Sequence, residues 1–142
     1  MNLLGYDDVL LRLGAAVLAG AVIGLDREIR NKPAGVRTIS LVSLGSAVFV
    51  MAALTGATTD ATSRAIQGIV TGVGFLGAGT IIRGQTEQSI HGLTTAASVW
   101  LAAAVGVACG VAFWPLVVVS GALGVLILVL EPIDRWLKAK VT

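Results

Sequence analysis

Charge is what this sequence lacks most. Only 13% of its residues are Asp, Glu, Lys or Arg, against 56% hydrophobic, and its mean hydropathy is +0.90. A water-soluble domain carries about 25% charged residues. Too few polar side chains exist here to cover a globule in water, so lipid is the natural solvent of the chain. Cysteine is almost absent as well. The single Cys109 excludes an intramolecular disulfide framework and reads as a small packing residue in an apolar stretch. No separate basic patch of the kind nucleic-acid binding needs is present. The net charge of +2 and the pI of 9.1 read instead as anchoring beside anionic lipids.

The gaps between charges set the architecture. Thr38 to Thr59, Ala65 to Ile82 and Gln88 to Leu130 contain no Asp, Glu, Lys or Arg. About 20 residues cross a bilayer as a helix. The last gap is therefore long enough for two spans, with a turn near Gly110 to Pro115. Val9 to Leu25 makes a further span, with Arg12 near enough to its end to snorkel toward water. The fold class expected is all-α, an integral membrane bundle of five transmembrane helices forming one domain over 1–142. The spans fall at about 9–25, 38–54, 65–82, 93–110 and 112–130. No soluble domain is expected after the fifth.

Lys and Arg at the span ends give an orientation. Arg27, Arg30, Lys32, Arg37, Arg83, Arg135, Lys138 and Lys140 fall on one side, and only Arg12 and Arg64 on the other. The N-terminus is expected outside and the C-terminus in the cytoplasm. Tyr6 and Trp114 then sit at outer boundaries and Trp136 at the inner one, where amphipathic rings settle. Trp100 lies mid-span, and its indole N–H places it against another helix. The N-terminus opens with Asp7 and Asp8 and no basic residue before Arg12, so it reads as a retained span and not as a secretory signal.

Gly24 to Thr38 is the most polar stretch. Asp26 and Arg30, and Glu28 and Lys32, stand at i,i+4 with the acid first, so helix one is predicted to continue to Lys32 before Pro33 stops it. Such a self-paired end sets topology; it is also the place for a functional polar cluster. Ser40, Ser43 and Ser46 follow on helix two, where hydroxyls serve helix packing or a polar pathway.

Gly72 to Gly77 reads GVGFLG, which fits the G-x-G-x-x-G pattern of dinucleotide loops. The context does not fit. No strand precedes it, and no acidic residue stands about 20 positions further on. No nucleotide is expected there. On a helix, Ala65, Gly68, Gly72 and Gly79 share one face, a ridge that permits close approach of a neighbour. Gly20-x-x-x-Gly24 and Gly106-x-x-x-Gly110 offer matching surfaces. Gly74 and Gly77 lie off the ridge, so helix three is either packed on two sides or locally broken beside a cavity.

The blocks GLDRE (Gly24 to Glu28), AGVRT (Ala34 to Thr38), GVGFLGAGTI (Gly72 to Ile81) and HGLTTAASVW (His91 to Trp100) resemble, in order and spacing, the MgtC/SapB family of bacterial inner-membrane proteins. The resemblance covers about Gly20 to Gly110. It implies a five-helix membrane protein tied to growth in low magnesium and, in some pathogens, to survival inside macrophages. It also implies restraint of the F-type ATP synthase and not carriage of magnesium. Many members have a soluble C-terminal domain, which is not expected here, and Asp26 stands where the family motif usually has Glu. Carried over by position, the candidates are Asp26, Arg27, Glu28, Arg37 and Thr38, then Gly74, Gly77 and Gly79, then Gly92, Thr94, Thr95 and Trp100. Thr94 or Thr95 would suit the N-cap of helix four. Independently, the charge count puts Asp26, Glu28, Arg37, Arg83 and Thr94 at cytoplasmic helix ends, where a shared cluster can form.

Three functions compete. A non-enzymatic regulator that binds another membrane complex fits the small-residue faces. A magnesium or other cation transporter would need carboxylates, and Asp26 and Glu28 are the candidate ligands, although no acid lies near the middle of a span. A small homo-oligomeric structural protein is the third. No cofactor is expected beyond magnesium as ligand or signal. With one His, one mid-span Cys and no paired acids at bilayer depth, no enzyme is expected.

Overall fold

Charge marks where the helices begin and end. Asp7 and Asp8 open α1 (Tyr6–Ile29) and Arg27 closes it, each complementing the helix dipole. In the computed structural model, which describes residues 5–56, 59–83 and 90–130, four more helices follow: α2 (Val36–Leu54), α3 (Thr59–Gly79), α4 (Leu93–Gly110) and α5 (Trp114–Val129). Between α3 and α4, β1 (Ile82–Arg83) and β2 (Ile90–His91) pair antiparallel, with Ile82 opposite His91. Arg135, Trp136, Lys138 and Lys140, and the side chain of Arg83, lie outside the described residues.

The helix ends are set by the backbone. α1 stops at Ile29, before the expected Lys32, because Asn31 turns left-handed with φ 52°. Its N–H then bonds the Glu28 carbonyl at 3.0 Å and that of Lys32 bonds the Arg27 carbonyl at 2.9 Å. These two bonds satisfy carbonyls that a helix end otherwise orphans. Ala112, φ 57°, repeats the device after α4, and Pro115 in the first turn starts α5.

The core is built around α2, which packs against both α1 and α4 while those two also touch each other. Gly20 and Gly24 bring α1 onto one side of it. A Cβ at either position would stand 2.7 Å from a backbone Cα of α2, that of Ser40 or of Val36. Gly106 and Gly110 bring α4 onto an adjacent face, where a Cβ at Gly106 would overlap the Ser43 carbonyl oxygen. Ile23, Ile39, Ala47, Val50, Val99, Ala102, Val105 and Cys109 fill the space between and are fully buried. At the far end, Arg12 is turned into the bundle instead of toward water. Its Nη1 donates to the Gly110 carbonyl at 2.9 Å, and its Nε pairs with Asp8 at the same distance.

α3 runs unbroken from Thr59 to Gly79, so GVGFLG is helix and not a strand–turn–helix loop. Among the described residues its glycines do not pack as a ridge. Nothing lies within 4 Å of a Cβ built at Gly68, Gly72, Gly74 or Gly79, and Gly77 only touches Ala96 at 3.6 Å. The reason is rotational. Ile69, Val73 and Gly77 are the buried residues of this helix, and Gly68 and Gly72, each one position before Ile69 or Val73, are turned about 100° aside. The same rotation corrects Trp100. Val99, Ala102 and Ala103 take the inward positions of α4, which leaves Trp100 51% exposed along the α3–α4 groove beside Ile66 and Val70.

Three of the helices, α1, α2 and α4, are long and apolar enough to cross a membrane, and α5 is a shorter apolar helix. The outer surface agrees. Phe75 is 82% exposed, and Leu10, Phe49, Val118 and Ile127 are each about two-thirds exposed. Soluble monomers rarely expose contiguous apolar surface on this scale.

Candidate functional site

The site forms where α1 ends and α4 begins. Ala16, Gly20, Ile23, Gly24 and Arg27 are the buried residues of α1, all on one stripe. Arg27 therefore continues an apolar face inward and is only 1% exposed. Its Nη2 donates to Thr95 Oγ1 at 2.9 Å, and its Nη1 lies 3.6 Å from Asp26 Oδ2. The other oxygen of Asp26 accepts from Arg30 Nε at 2.7 Å, the i,i+4 pair that the spacing predicts.

Glu28 connects two of the sequence blocks. Its Oε2 accepts the Val36 N–H at 2.8 Å and so satisfies an open donor at the start of α2. Gly35 must be small for this, because a side chain there would overlap the Glu28 carboxylate. Thus GLDRE and AGVRT fit together physically.

Thr95 does not cap α4, and neither does Thr94. The N-cap is Gly92, held at φ 96° with a Cβ position that overlaps the Thr80 carbonyl oxygen. A side chain there would be both strained and blocked. The Ala96 N–H makes the first bond of the helix, to the Gly92 carbonyl at 2.8 Å. The first-turn N–H groups of Leu93, Thr94 and Thr95 stand ahead of it, with no side-chain cap.

A cavity of about 310 Å³ opens over this helix start. Arg27 and Thr95 form its buried floor, Thr80 and Gly92 its wall, and Lys32, Pro33, His91, Leu93 and Thr94 its more open rim. Among the described residues, no acidic side chain lines it. Of the expected cluster, Arg27, Thr94 and Thr95 meet at the cavity, with Asp26 behind Arg27 and Glu28 at the α1–α2 turn. Arg37 and Thr38 do not join them. Both are exposed, and Thr38 instead lines a separate apolar groove of about 710 Å³ between α2 and α3. Gly68 and Gly72 line that groove too, beside Gly45 and Phe49. Lys32, Thr80 and His91 were outside the expected cluster. The only sequence sign of them is the lone histidine directly before Gly92.

Asp26 and Glu28 do not fit a magnesium ion. One carboxylate is held by two guanidinium groups and the other by a helix N–H. Magnesium asks for oxygen ligands in near-octahedral array. Among the described residues, no group of three or more His, Cys, Asp or Glu stands together.

Comparison with known proteins places this arrangement. The MgtC family profile matches residues 13–136. Protein SrpB of Synechococcus elongatus is 46% identical, over 74% of this chain and 64% of its own length. Protein MgtC of Salmonella typhimurium is 46% identical over 71% of this chain and 42% of its own, and protein SapB of Bacillus subtilis 40% over 75% and 49%. The chain spans about half the length of these relatives. No solved structure matches it. The profile extends from α1 past α5 and includes every residue of the cavity, and on that match the chain belongs to the MgtC family.

Proposed function

We propose that this chain is a multi-pass protein of the bacterial inner membrane, with five spans and its N-terminus outside. It acts as a non-enzymatic regulator of another membrane complex in magnesium homeostasis or low-magnesium adaptation. The F-type ATP synthase is the complex that the family resemblance suggests. One observation carries this reading: the chain uses two of its glycine ridges internally and leaves the third open. Gly20 and Gly24, and Gly106 and Gly110, are filled by α2, whereas among the described residues nothing fills the apolar groove that Gly68 and Gly72 border. Association of helices in lipid relies on such small-residue faces. A transmembrane helix of the regulated complex is the occupant proposed. Cation carriage is disfavoured because both candidate carboxylates are already engaged.

Gly72→Cys in a Cys109→Ser background tests the groove by crosslinking in native membranes. A specific adduct with a subunit of another complex, lost in Gly68→Leu, is the expected result. An adduct only with a second copy of this chain would replace the regulator with a homo-oligomeric structural protein. In liposomes with a magnesium-sensitive dye no protein-dependent flux is expected. Flux abolished by Asp26→Ala or Glu28→Ala would make the protein a cation transporter.

A further inference from the structure

We propose that two copies of the chain pair through the outward face of α3. Asp60, Arg64, Gln67, Thr71, Gly74 and Ala78 recur at alternating spacings of four and three, and so form one stripe with the pattern of a helix–helix seam. All of them are exposed. The stripe is centred about 160° round the helix from the buried Ile69 and Val73, and about 100° from Gly68 and Gly72. It is therefore separate from the α2–α3 groove and from any partner seated there. Its neighbours give its depth. α3 packs against α2 and α4, both long and apolar enough to cross a membrane. Gln67 stands about 12 Å along α3 from Thr59 and about 18 Å from Gly79. In the five-span reading, on which this inference rests, Gln67 and Thr71 face outward near the middle of the bilayer.

Such a face does not suit lipid. Among the described residues the Gln67 carboxamide has no hydrogen-bond partner. Thr71 lies one turn on, but its hydroxyl donates to the Gln67 backbone carbonyl at 2.9 Å and leaves the amide unserved. A polar group without a partner is costly in hydrocarbon, and side-chain amides there hold helices together. Neither water nor a lipid headgroup is at hand at that depth, so the partner is another helix. Residues 84–89 and 131–142 of this chain carry charges that the bilayer centre repels.

The chemistry of the stripe selects a second copy. Two copies inserted alike run their α3 helices parallel, so a twofold axis along the membrane normal sets each residue opposite itself. A carboxamide both donates and accepts, so Gln67 of one copy satisfies Gln67 of the other; a carboxylate or an ammonium cannot match itself in this way. Further along, Gly74 and Ala78 let the two backbones approach. Gly74, whose Cβ position meets nothing within 4 Å, so gains a neighbour that its own chain does not supply. At the opposite end of the stripe Asp60 of one copy comes beside Arg64 of the other, and the symmetry repeats the pair. Among the described residues neither has an ion pair within its own chain.

The test uses the full chain in native membranes, in a Cys109→Ser background, with cysteine reporters on α3. Gly74→Cys should form a disulfide-linked dimer on mild oxidation, and Gly72→Cys, about 160° round the helix, should not. Equal dimer at both positions, or an adduct of Gly74→Cys with a different protein in place of a second copy, overturns the proposal. Gln67 supplies a second arm, read in liposomes by energy transfer between labelled copies as lipid is added. Gln67→Leu should weaken dimerisation about tenfold, and Gln67→Asn, which keeps the amide, should stay within about threefold of the parent. Both side chains face away from the bundle and should keep the melting temperature of the monomer. A Gln67→Leu protein that pairs as the parent does overturns the proposal. Thr71→Cys separates that failure from failure of the five-span reading. A water-soluble maleimide should leave it unlabelled in opened membranes; ready labelling would put this face in water and overturn the span together with the dimer. An unlabelled Thr71→Cys beside a Gly74→Cys that forms no dimer overturns the dimer alone.

Discussion

Arg27 Nη2 and Thr95 Oγ1 are 2.9 Å apart, and each residue is 1% exposed. This one bond fastens the end of α1 to the start of α4 and forms the floor of the polar cavity. Arg27→Met should be among the most damaging single changes in the chain. It takes from Asp26 one of the two guanidinium groups that hold it and removes the cation from a buried site, a class of change that costs about 3–5 kcal/mol. Thr95→Val should cost about 1–3 kcal/mol by leaving a buried donor one acceptor short. Because the two side chains meet, the double variant should lose less than the two single losses combined. Unfolding in one detergent, at one protein concentration, gives all three values; strict additivity would show that the bond contributes nothing.

The glycines should divide sharply. Gly106→Ala forces a methyl group into the Ser43 carbonyl, and Gly20→Ala forces one against the Ser40 Cα. Both contacts are with backbone, which cannot swing aside, so α2 must separate from α4 or α1. Each variant should lower the melting temperature by several degrees, as a loss of about 1–3 kcal/mol does in a small domain. Gly72→Ala meets open space and should instead match or exceed the parent, by up to about 1 kcal/mol from helix propensity. Equal damage at Gly72 and Gly106 would mean that the α2–α3 groove is closed in the folded protein.

What the sequence could reveal follows from the range of each interaction. The helices were legible because absence of charge is a property of long stretches, and the Asp26–Arg30 pair because it lies within one helical turn. The ridges on Gly20 and Gly106 were legible as surfaces, but not their shared partner α2, since no local spacing says which helix lies opposite. The orientation of α3 was not legible. Ile69 and Val73 compete with Gly68 and Gly72 for the inward position, and only the packed bundle resolves a 100° rotation. Thr95 misled for a related reason. A threonine in a first turn is a fair N-cap by local rules, yet its hydroxyl is claimed by an arginine brought from α1 by tertiary packing.

Gly92 sets up a sharper local test. Its φ of 96° and the Thr80 carbonyl against its Cβ position both exclude a side chain. Gly92→Ala should misplace the start of α4 and loosen β2, and Gly92→Asn should do the same, because its tolerance of left-handed backbone does not remove the overlap. Limited proteolysis between α3 and α4 should quicken in both variants. Thr94→Ala, at the exposed rim and without a capping bond, should leave the cleavage rate unchanged. A Gly92→Asn protein as resistant as the parent would show that conformation alone, and not space, demands glycine.

The opposite end of the bundle depends on Arg12. Its guanidinium joins Asp8 on its own helix to the last carbonyl of α4, where a cation also complements the dipole. The two partners should differ in weight. Asp8 is 36% exposed and one turn away, so Asp8→Asn should cost no more than about 0.5 kcal/mol. The bond to Gly110 crosses between helices from a side chain only 14% exposed, so Arg12→Leu should cost about 1.5–3 kcal/mol. Arg12→Lys, with a single flexible ammonium in place of the fork, should fall between them. Hydrogen exchange locates the effect. In Arg12→Leu, amides from Val107 to Phe113 should lose protection while those from Ser98 to Ala102 keep it, because Arg27 still holds the other end of α4. Uniform loss along the whole helix would mean that the two arginines act as one cooperative clamp instead of as separate fastenings.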